Sequence, residues 1–97
     1  MPTFDAFARF WNEYGRLGRE QKREFLAAKN LFVADFLSGQ QPRHSLRVKR
    51  VQNVPGVLEL SWASDGRATF EYGSELIEGQ PHIIWRRIGS HDIFRNP

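Results

Sequence analysis

The spacing of the apolar residues changes once along this chain, and that change constrains the fold more than any other feature. Before residue 40, apolar side chains recur every three or four residues, which predicts helices; after residue 42 they alternate, which predicts strands. Helices first and strands afterwards indicate two packed layers, because each layer has one apolar face to bury. The pattern therefore predicts an α+β fold, with a helical hairpin on one face of a twisted, mainly antiparallel sheet of four to five strands.

Two helices are predicted in the first part of the chain. The first covers residues 4–17, with Thr3 as its N-cap and a glycine-containing stop. The second covers residues 19–37 and ends before Gly39. Because the connection between them is short, they are expected to form an antiparallel hairpin with a mostly aromatic seam.

Four strands are predicted in the second part of the chain. They cover residues 46–52, 57–63, 67–72 and 82–88, and a last extended piece is expected over residues 91–94. A three-residue hairpin loop with Gly66 at a left-handed position places Leu60 opposite Phe70. This register separates an apolar face, ready for the helices, from a polar face that carries Glu59 and Arg67. Any chemistry is therefore expected on the helix-free face.

Length and missing residue types exclude several kinds of protein. The 97 residues, 40% of them hydrophobic, suit one domain over residues 1–97. Without cysteine, and with three histidines that lack metal-ligand spacing, neither disulfides, a metal nor another cofactor is predicted. No run of about 18 apolar residues occurs, so a cytoplasmic protein without membrane contact is expected. The net charge of +3 fits a nucleic acid or an acidic protein as partner and identifies neither.

A cluster of basic residues precedes and enters the first predicted strand. This basic cluster consists of Arg43, His44, Arg47, Lys49 and Arg50. It can bind phosphates through charge and counterion release, with little sequence preference. Charged side chains also protect a solvated edge strand against aggregation, and composition alone favours neither role.

Arginines of the later strands are further candidates for chemistry. Arg67 begins its strand on the polar face, where it could clamp a phosphate or form an ion pair with Glu59 or Glu71. Arg86 and Arg87 point to opposite faces of one strand, so at most one of them is expected in the same groove as Arg67.

A histidine follows the last predicted strand. His91 comes directly after Gly89 and Ser90, where an imidazole could serve as a general acid or base near neutral pH. A lone histidine near a carboxyl terminus can equally be an ordinary surface residue, and both readings stay open on spacing alone.

Three segments follow one another in the carboxyl-terminal half: residues 57–62, the hairpin of residues 65–72, and residues 83–94 with their Gly-Ser-His-Asp element. In this order they resemble the RelE/ParE superfamily of small bacterial toxins, and within it the RelE/HigB kind. Toxins of the RelE kind are ribosome-dependent messenger-RNA endonucleases, each neutralised by an antitoxin. The resemblance implies a metal-independent endoribonuclease, or mRNA interferase, of a type II toxin–antitoxin system. Its partners would be a cognate antitoxin, the ribosome and mRNA.

The same resemblance implies roles for individual residues. Arg67 would contact the scissile phosphate, and Arg86 or Arg87 would stabilise developing negative charge. Glu59 would serve as the base and His91 as the acid, or the two roles would be exchanged. The basic cluster would hold ribosomal RNA.

Three positions depart from the family pattern and keep two alternatives open. Glu59 and Ser61 stand where RelE has basic residues, and Phe94 stands where a tyrosine is frequent. A ParE-like relative would share the fold and inhibit DNA gyrase by protein contact, without cleaving RNA. A non-catalytic RNA-binding or protein-binding member of the family is the third possibility.

Overall fold

A computed structural model describes residues 2–97 of the chain. The elements in chain order are β1 (Thr3–Ala6), α1 (Ala8–Arg16), α2 (Arg19–Leu37), a 3-10 helix (His44–Leu46), β2 (Lys49–Arg50), β3 (Val57–Ser61), β4 (Gly66–Gly73), β5 (His82–Ser90) and a second 3-10 helix (His91–Arg95). The strands form one sheet in the order β1-β5-β4-β3-β2, with β1 parallel to β5 and the other neighbours antiparallel. This two-layer, mainly antiparallel arrangement confirms the predicted α+β class.

Aromatic side chains fill the space between the helices and the sheet. Trp85 of β5 lies at the centre: its ring centroid is 5.9 Å from that of Phe10 and 5.3 Å from that of Phe25. Phe32 of α2 is fully buried and packs 5.3 Å from the ring of Phe70. Each fully buried phenylalanine contributes about 1.5–3 kcal/mol, so this seam holds the two layers together. In residues 2–97 no helix is both long and apolar enough to cross a membrane.

The first predicted helix begins too early, and Thr3 is not its N-cap. Residues Thr3–Ala6 form β1, and the cap position is occupied by Phe7, which makes no side-chain cap bond. The Thr3 hydroxyl lies 2.8 Å from Nδ1 of His82 on β5, 79 positions away in the chain. Pairing with this distant strand overrides the local helical spacing, because the backbone of β1 forms hydrogen bonds with β5 along its whole length.

The first predicted strand shrinks to two residues, Lys49–Arg50. Leu46 is buried in the preceding 3-10 helix, and Arg47 follows it with a φ of 48°, which breaks an extended run. The second helix, by contrast, runs from Arg19 to Leu37 as predicted, and Gly39 follows it with a φ of +72°.

The β3–β4 hairpin keeps the predicted faces, although its register differs by two residues. Leu58, not Leu60, lies opposite Phe70. Gly66 belongs to β4 and has no left-handed φ; a Cβ there would lie 2.6 Å from the Trp62 indole. A displacement of two residues returns each side chain to the same face, so the division into an apolar and a polar face is retained.

Candidate functional site

The chain after β5 turns onto the helix-free face and does not continue as the expected extended piece. The Ser90 hydroxyl accepts a backbone hydrogen bond from two residues further on, at 3.3 Å, and so caps the 3-10 helix His91–Arg95. Ile93 is buried under this turn, where Gly89 leaves room: a Cβ on Gly89 would lie 3.0 Å from Ile93 Cγ2. The prediction of an extended segment over residues 91–94 is therefore wrong, and the turn sets the position of His91.

His91 lines a groove of about 660 Å³ on the helix-free face. The groove is lined by Lys49, Arg50, Val51, Gln52, Asn53, Glu59, His91 and Phe94. It thus brings together four of the residues singled out from the sequence, namely a carboxylate, an imidazole and two cations. Within residues 2–97, no three His, Asp or Glu side chains cluster as metal ligands would.

Glu59 supplies the carboxylate of the groove. It is 8% exposed, and its strand position places it directly across from Lys49. Oε1 of Glu59 lies 3.8 Å from Nζ of Lys49, a loose ion pair whose cation is largely solvated. Both side chains line the groove, and the ion pair between them is weak because its ammonium is largely solvated.

His91 supplies the imidazole. Its residue is exposed, and its ring meets that of Phe94 edge-on, with the centroids 4.8 Å apart. The His91 backbone N–H donates to Oδ1 of Asp65 in the hairpin loop at 3.4 Å. No hydrogen bond to the ring is formed by the residues the structure describes, so the ring nitrogens are open to a ligand in the groove. Phe94 has no phenol and acts only as a packing partner.

By strand alternation Arg67 starts on the helix-free face, but its side chain does not line the groove. Its Nη1 donates to three carbonyl oxygens of the hairpin loop and its flank, at 2.9 to 3.3 Å. The residue lines another cavity, of about 620 Å³, between α2 and the hairpin. Among residues 2–97, neither of the considered ion pairs, with Glu59 or with Glu71, is formed. Arg67 is therefore anchored to the loop in this structure.

Arg86 is the extra residue of a β-bulge in β5. Thr69 pairs with Arg87 and Phe70 with Trp85, which leaves Arg86 without a partner on β4. Nη1 of Arg86 lies 2.7 Å from Oε1 of Glu71, and its Nε donates to the Pro97 carbonyl at 3.2 Å. These contacts hold Arg86 to the sheet and to the end of the chain.

Arg87 lies in the part of β5 beyond its pairing with β1 and contacts Glu13 of α1. The two side chains form an ion pair, in which Nε of Arg87 lies 3.2 Å from both carboxylate oxygens. Sequence reasoning missed Glu13, because the two residues lie 74 positions apart and nothing in the helical pattern marks this glutamate. Neither Arg86 nor Arg87 lines the groove.

Arg43 of the basic cluster clamps a buried acid. Its Nη2 and Nε lie 2.7 and 3.1 Å from the two carboxylate oxygens of Asp35, and its backbone N–H donates at 2.9 Å. These hydrogen bonds lower the pKa of Asp35 and raise the pKa of Arg43. In the sequence, the position of Asp35 between two apolar residues of α2 could have indicated a buried acid in need of a cation. The remaining cluster is divided: Lys49 and Arg50 line the groove, whereas Arg47 lines the cavity beside Arg67.

Comparison with known proteins connects this architecture to small toxins. No protein-family model matches the sequence, and no curated protein matches it. The YoeB/ParE toxin from Agrobacterium tumefaciens has a TM-score of 0.67 at 9% identity, over 92% of this chain and 98% of that one. A chain of the E. coli DinJ–YafQ toxin–antitoxin complex scores 0.64 at 11% identity, over 94% and 93%. A chain of the RelB–RelE complex from Methanococcus jannaschii scores 0.61 at 12% identity, over 95% of each.

The chain therefore has the fold of RelE/ParE-superfamily toxins. The shared architecture consists of two helices packed on a five-stranded mixed sheet. The resemblance seen in the carboxyl-terminal half of the sequence is confirmed at the level of the fold.

Proposed function

We propose that this chain is the toxin of a type II toxin–antitoxin system and that it cleaves messenger RNA on the ribosome. The observation that carries the proposal is the groove in which Glu59, His91, Lys49 and Arg50 meet. The structural likeness to proteins described as toxins, some of them in complexes with antitoxins, supports the same reading and a cognate antitoxin as partner.

The groove contains the groups that metal-independent RNA cleavage requires. A ribose 2′-hydroxyl attacks the adjacent phosphorus, while a base removes the hydroxyl proton. The bond from phosphorus to the 5′ oxygen then breaks, and an acid protonates the leaving oxygen, which yields a 2′,3′-cyclic phosphate and a 5′-hydroxyl. Glu59 and His91 are the base and acid of this proposal, in either order, because both line the groove.

Cations on the groove wall would stabilise the negative charge that develops on the phosphate oxygens. Lys49 and Arg50 are exposed and line the groove, so they are the first candidates. Arg67 would have to leave the loop carbonyls to reach a phosphate. Arg86 and Arg87 would have to break their ion pairs with Glu71 and Glu13, so we assign them a smaller part in stabilising the charge on the phosphate.

The rest of the basic cluster would contact ribosomal RNA. His44 and Arg47 are exposed and precede the groove-lining residues in the chain, whereas Arg43 is engaged by Asp35. Exposed cations bind phosphates with little sequence preference, as contact with a folded ribosomal RNA requires. A cognate antitoxin would neutralise the toxin by covering the groove with an amphipathic or acidic segment.

Induction in a bacterial host, with mapping of new 5′ ends in cellular transcripts, tests the proposal. Wild type should arrest growth and create new 5′ ends, and His91→Ala or Glu59→Gln should abolish both at equal protein level. Asp92→Asn, an exposed neighbour of His91, and Glu78→Gln, an exposed glutamate of the β4–β5 loop, are the matched controls. Both controls should keep full toxicity.

Two results would replace the proposal. Growth arrest without new 5′ ends, accompanied by induction of the DNA-damage response, would point to gyrase inhibition by protein contact. Growth without arrest at high protein level would point to a non-catalytic binding protein of this fold.

A further inference from the structure

Residues 96–97, here called the covering segment, lie over polar groups of β4 and β5. The Thr69 hydroxyl donates to the Pro97 carbonyl oxygen at 3.1 Å, and Nε of Arg86 donates to the same oxygen at 3.2 Å. Nη1 of Arg87 donates to the Asn96 carbonyl oxygen at 3.4 Å. Three donors, two of them guanidinium groups, thus converge on two uncharged main-chain oxygens.

The donors under the covering segment are arranged as an anion would require. Thr69 is fully buried, and its hydroxyl oxygen accepts the backbone N–H of Arg87 at 3.1 Å. That bond leaves the hydroxyl proton for the oxygen that lies above it. A phosphate oxygen carries negative charge, so it is a better acceptor for a guanidinium than a carbonyl oxygen is.

Arg86 is already held in the orientation that phosphate binding needs. Its Nη1 lies 2.7 Å from Oε1 of Glu71, and its Cζ lies 5.1 Å from the centroid of the Phe7 ring. Nη2 shares one edge of the guanidinium with Nε and has no hydrogen-bond partner among the residues the structure describes. A phosphate in place of the Pro97 carbonyl would accept from both nitrogens of this edge and leave the ion pair with Glu71 intact.

The covered donors adjoin the proposed RNA groove. Thr69 lies directly across from Glu59 in the β3–β4 pairing, so the two side chains share the helix-free face with their Cβ atoms about 4.5–5.5 Å apart. Phe94 lines the groove and precedes Pro97 by three residues. A single RNA strand can therefore contact the groove and the covered donors together.

We propose that Thr69 and Arg86 form a second phosphate-binding position, which takes the RNA backbone phosphate next to the scissile one and which the covering segment occupies until RNA displaces it. The proposal rests on the proposed function in taking RNA as the ligand. Both arginines keep their acidic partners, Glu71 and Glu13, so the position depends on the geometry of its donors and not on net charge. The covering segment acts as an internal competitor that lowers the affinity for RNA.

A titration of the isotope-labelled full chain with a single-stranded 2′-O-methyl oligoribonucleotide tests displacement by NMR. The methyl groups block the attacking hydroxyl, so binding is measured without cleavage. In the free protein the Asn96 amide donates to the Ile93 carbonyl at 3.1 Å and should be ordered. At saturating RNA its chemical shift should move toward the unfolded value, and its heteronuclear NOE should fall.

RNA affinity, measured by fluorescence anisotropy, tests the competition. A chain shortened to end at Arg95 should bind the same oligoribonucleotide about tenfold more tightly. Its salt slope should be larger by about 0.7, because one more phosphate is contacted. Arg86→Gln should remove this gain, whereas Arg9→Gln, which removes an exposed cation from α1, should keep it. Asn96→Ala in the full chain retains both carbonyl oxygens and should bind like wild type.

Three results would overturn the inference: an Asn96 amide that stays ordered at saturating RNA, a folded shortened chain with wild-type affinity, or displacement of the segment by a glutamate-rich peptide and not by RNA. A wild-type Tm establishes that the shortened chain is folded, and the NMR titration does not depend on that variant. Cleavage is not measured in either experiment. Unchanged binding in a chain that cleaves RNA would refute this inference alone, and the expected binding without any cleavage would refute the ribonuclease proposal alone.

Discussion

Gly66→Ala is expected to destabilise the protein strongly, because the first residue of β4 lies against the face of a buried indole. A Cβ on Gly66 would lie 2.6 Å from two carbon atoms of Trp62 and 2.7 Å from a third. The indole is 8% exposed and packs edge-on against Phe25 at 6.4 Å, so it has little room to move. Overpacking of this kind costs about 2 kcal/mol, which lowers the Tm of a domain of this size by about 8–16 °C.

Gly15→Ala is the matched control for this substitution. No atom lies within 4 Å of a Cβ at Gly15, which is part of α1. The same change should therefore stabilise the protein slightly there, by about 0.5 kcal/mol, through helix propensity. Thermal unfolding followed by far-UV circular dichroism compares both variants with wild type. A Gly66→Ala protein that melts at or above the wild-type temperature would refute the described packing of the hairpin.

The ion pairs and the groove cations support three further predictions. Arg43 lowers the pKa of Asp35 below its usual value of 3.8. The ion pair therefore stabilises the fold at pH values above 3.8, and this stabilisation is lost as the pH falls through the pKa that Asp35 has in the folded protein. Asp35→Asn should hence lower the midpoint of urea unfolding at neutral pH, and this midpoint should fall less steeply with decreasing pH than that of wild type. Glu13→Gln should cost about 1–3 kcal/mol in urea unfolding, since a mostly buried Arg87 loses its partner. Lys49→Ala with Arg50→Ala should reduce the salt slope of single-stranded RNA binding by roughly 1.4, measured by fluorescence anisotropy. A variant that behaves like wild type in its measurement would contradict the role given to the contact that it removes.

Local sequence patterns predicted those elements whose boundaries are set locally. The second helix has its predicted bounds, because a long amphipathic stripe lies between Gly18 and Gly39. The first predicted helix begins at Phe4 and not at Ala8, because Phe4 continues the helical spacing while its backbone pairs with Ile83 of β5. Pairing between the ends of the chain leaves no local signal, and tertiary contacts decide such segments.

The candidate site was predictable in its residue types and only partly in its geometry. Glu59 and His91 lie 32 positions apart, and no spacing rule brings them into one groove; the local position of His91 marked it as a candidate, and the family resemblance paired it with Glu59. Ser90, a polar residue before a turn, was a readable sign that the chain would form a capped 3-10 helix there. The pairs of Arg87 with Glu13 and of Arg43 with Asp35 depend on long-range packing and geometry, so the sequence did not separate these arginines from the free cations.

Product analysis of RNA cleaved by the purified protein, with and without ribosomes and in the presence of a chelator, tests the central proposal most directly. The expected products are a 2′,3′-cyclic phosphate and a 5′-hydroxyl, with no cleavage at a 2′-deoxy substituted position and a loss of about 10²- to 10⁴-fold in rate for His91→Ala. Cleavage that tolerates the 2′-deoxy substitution, or that proceeds at the wild-type rate in both His91→Ala and Glu59→Gln, would contradict it.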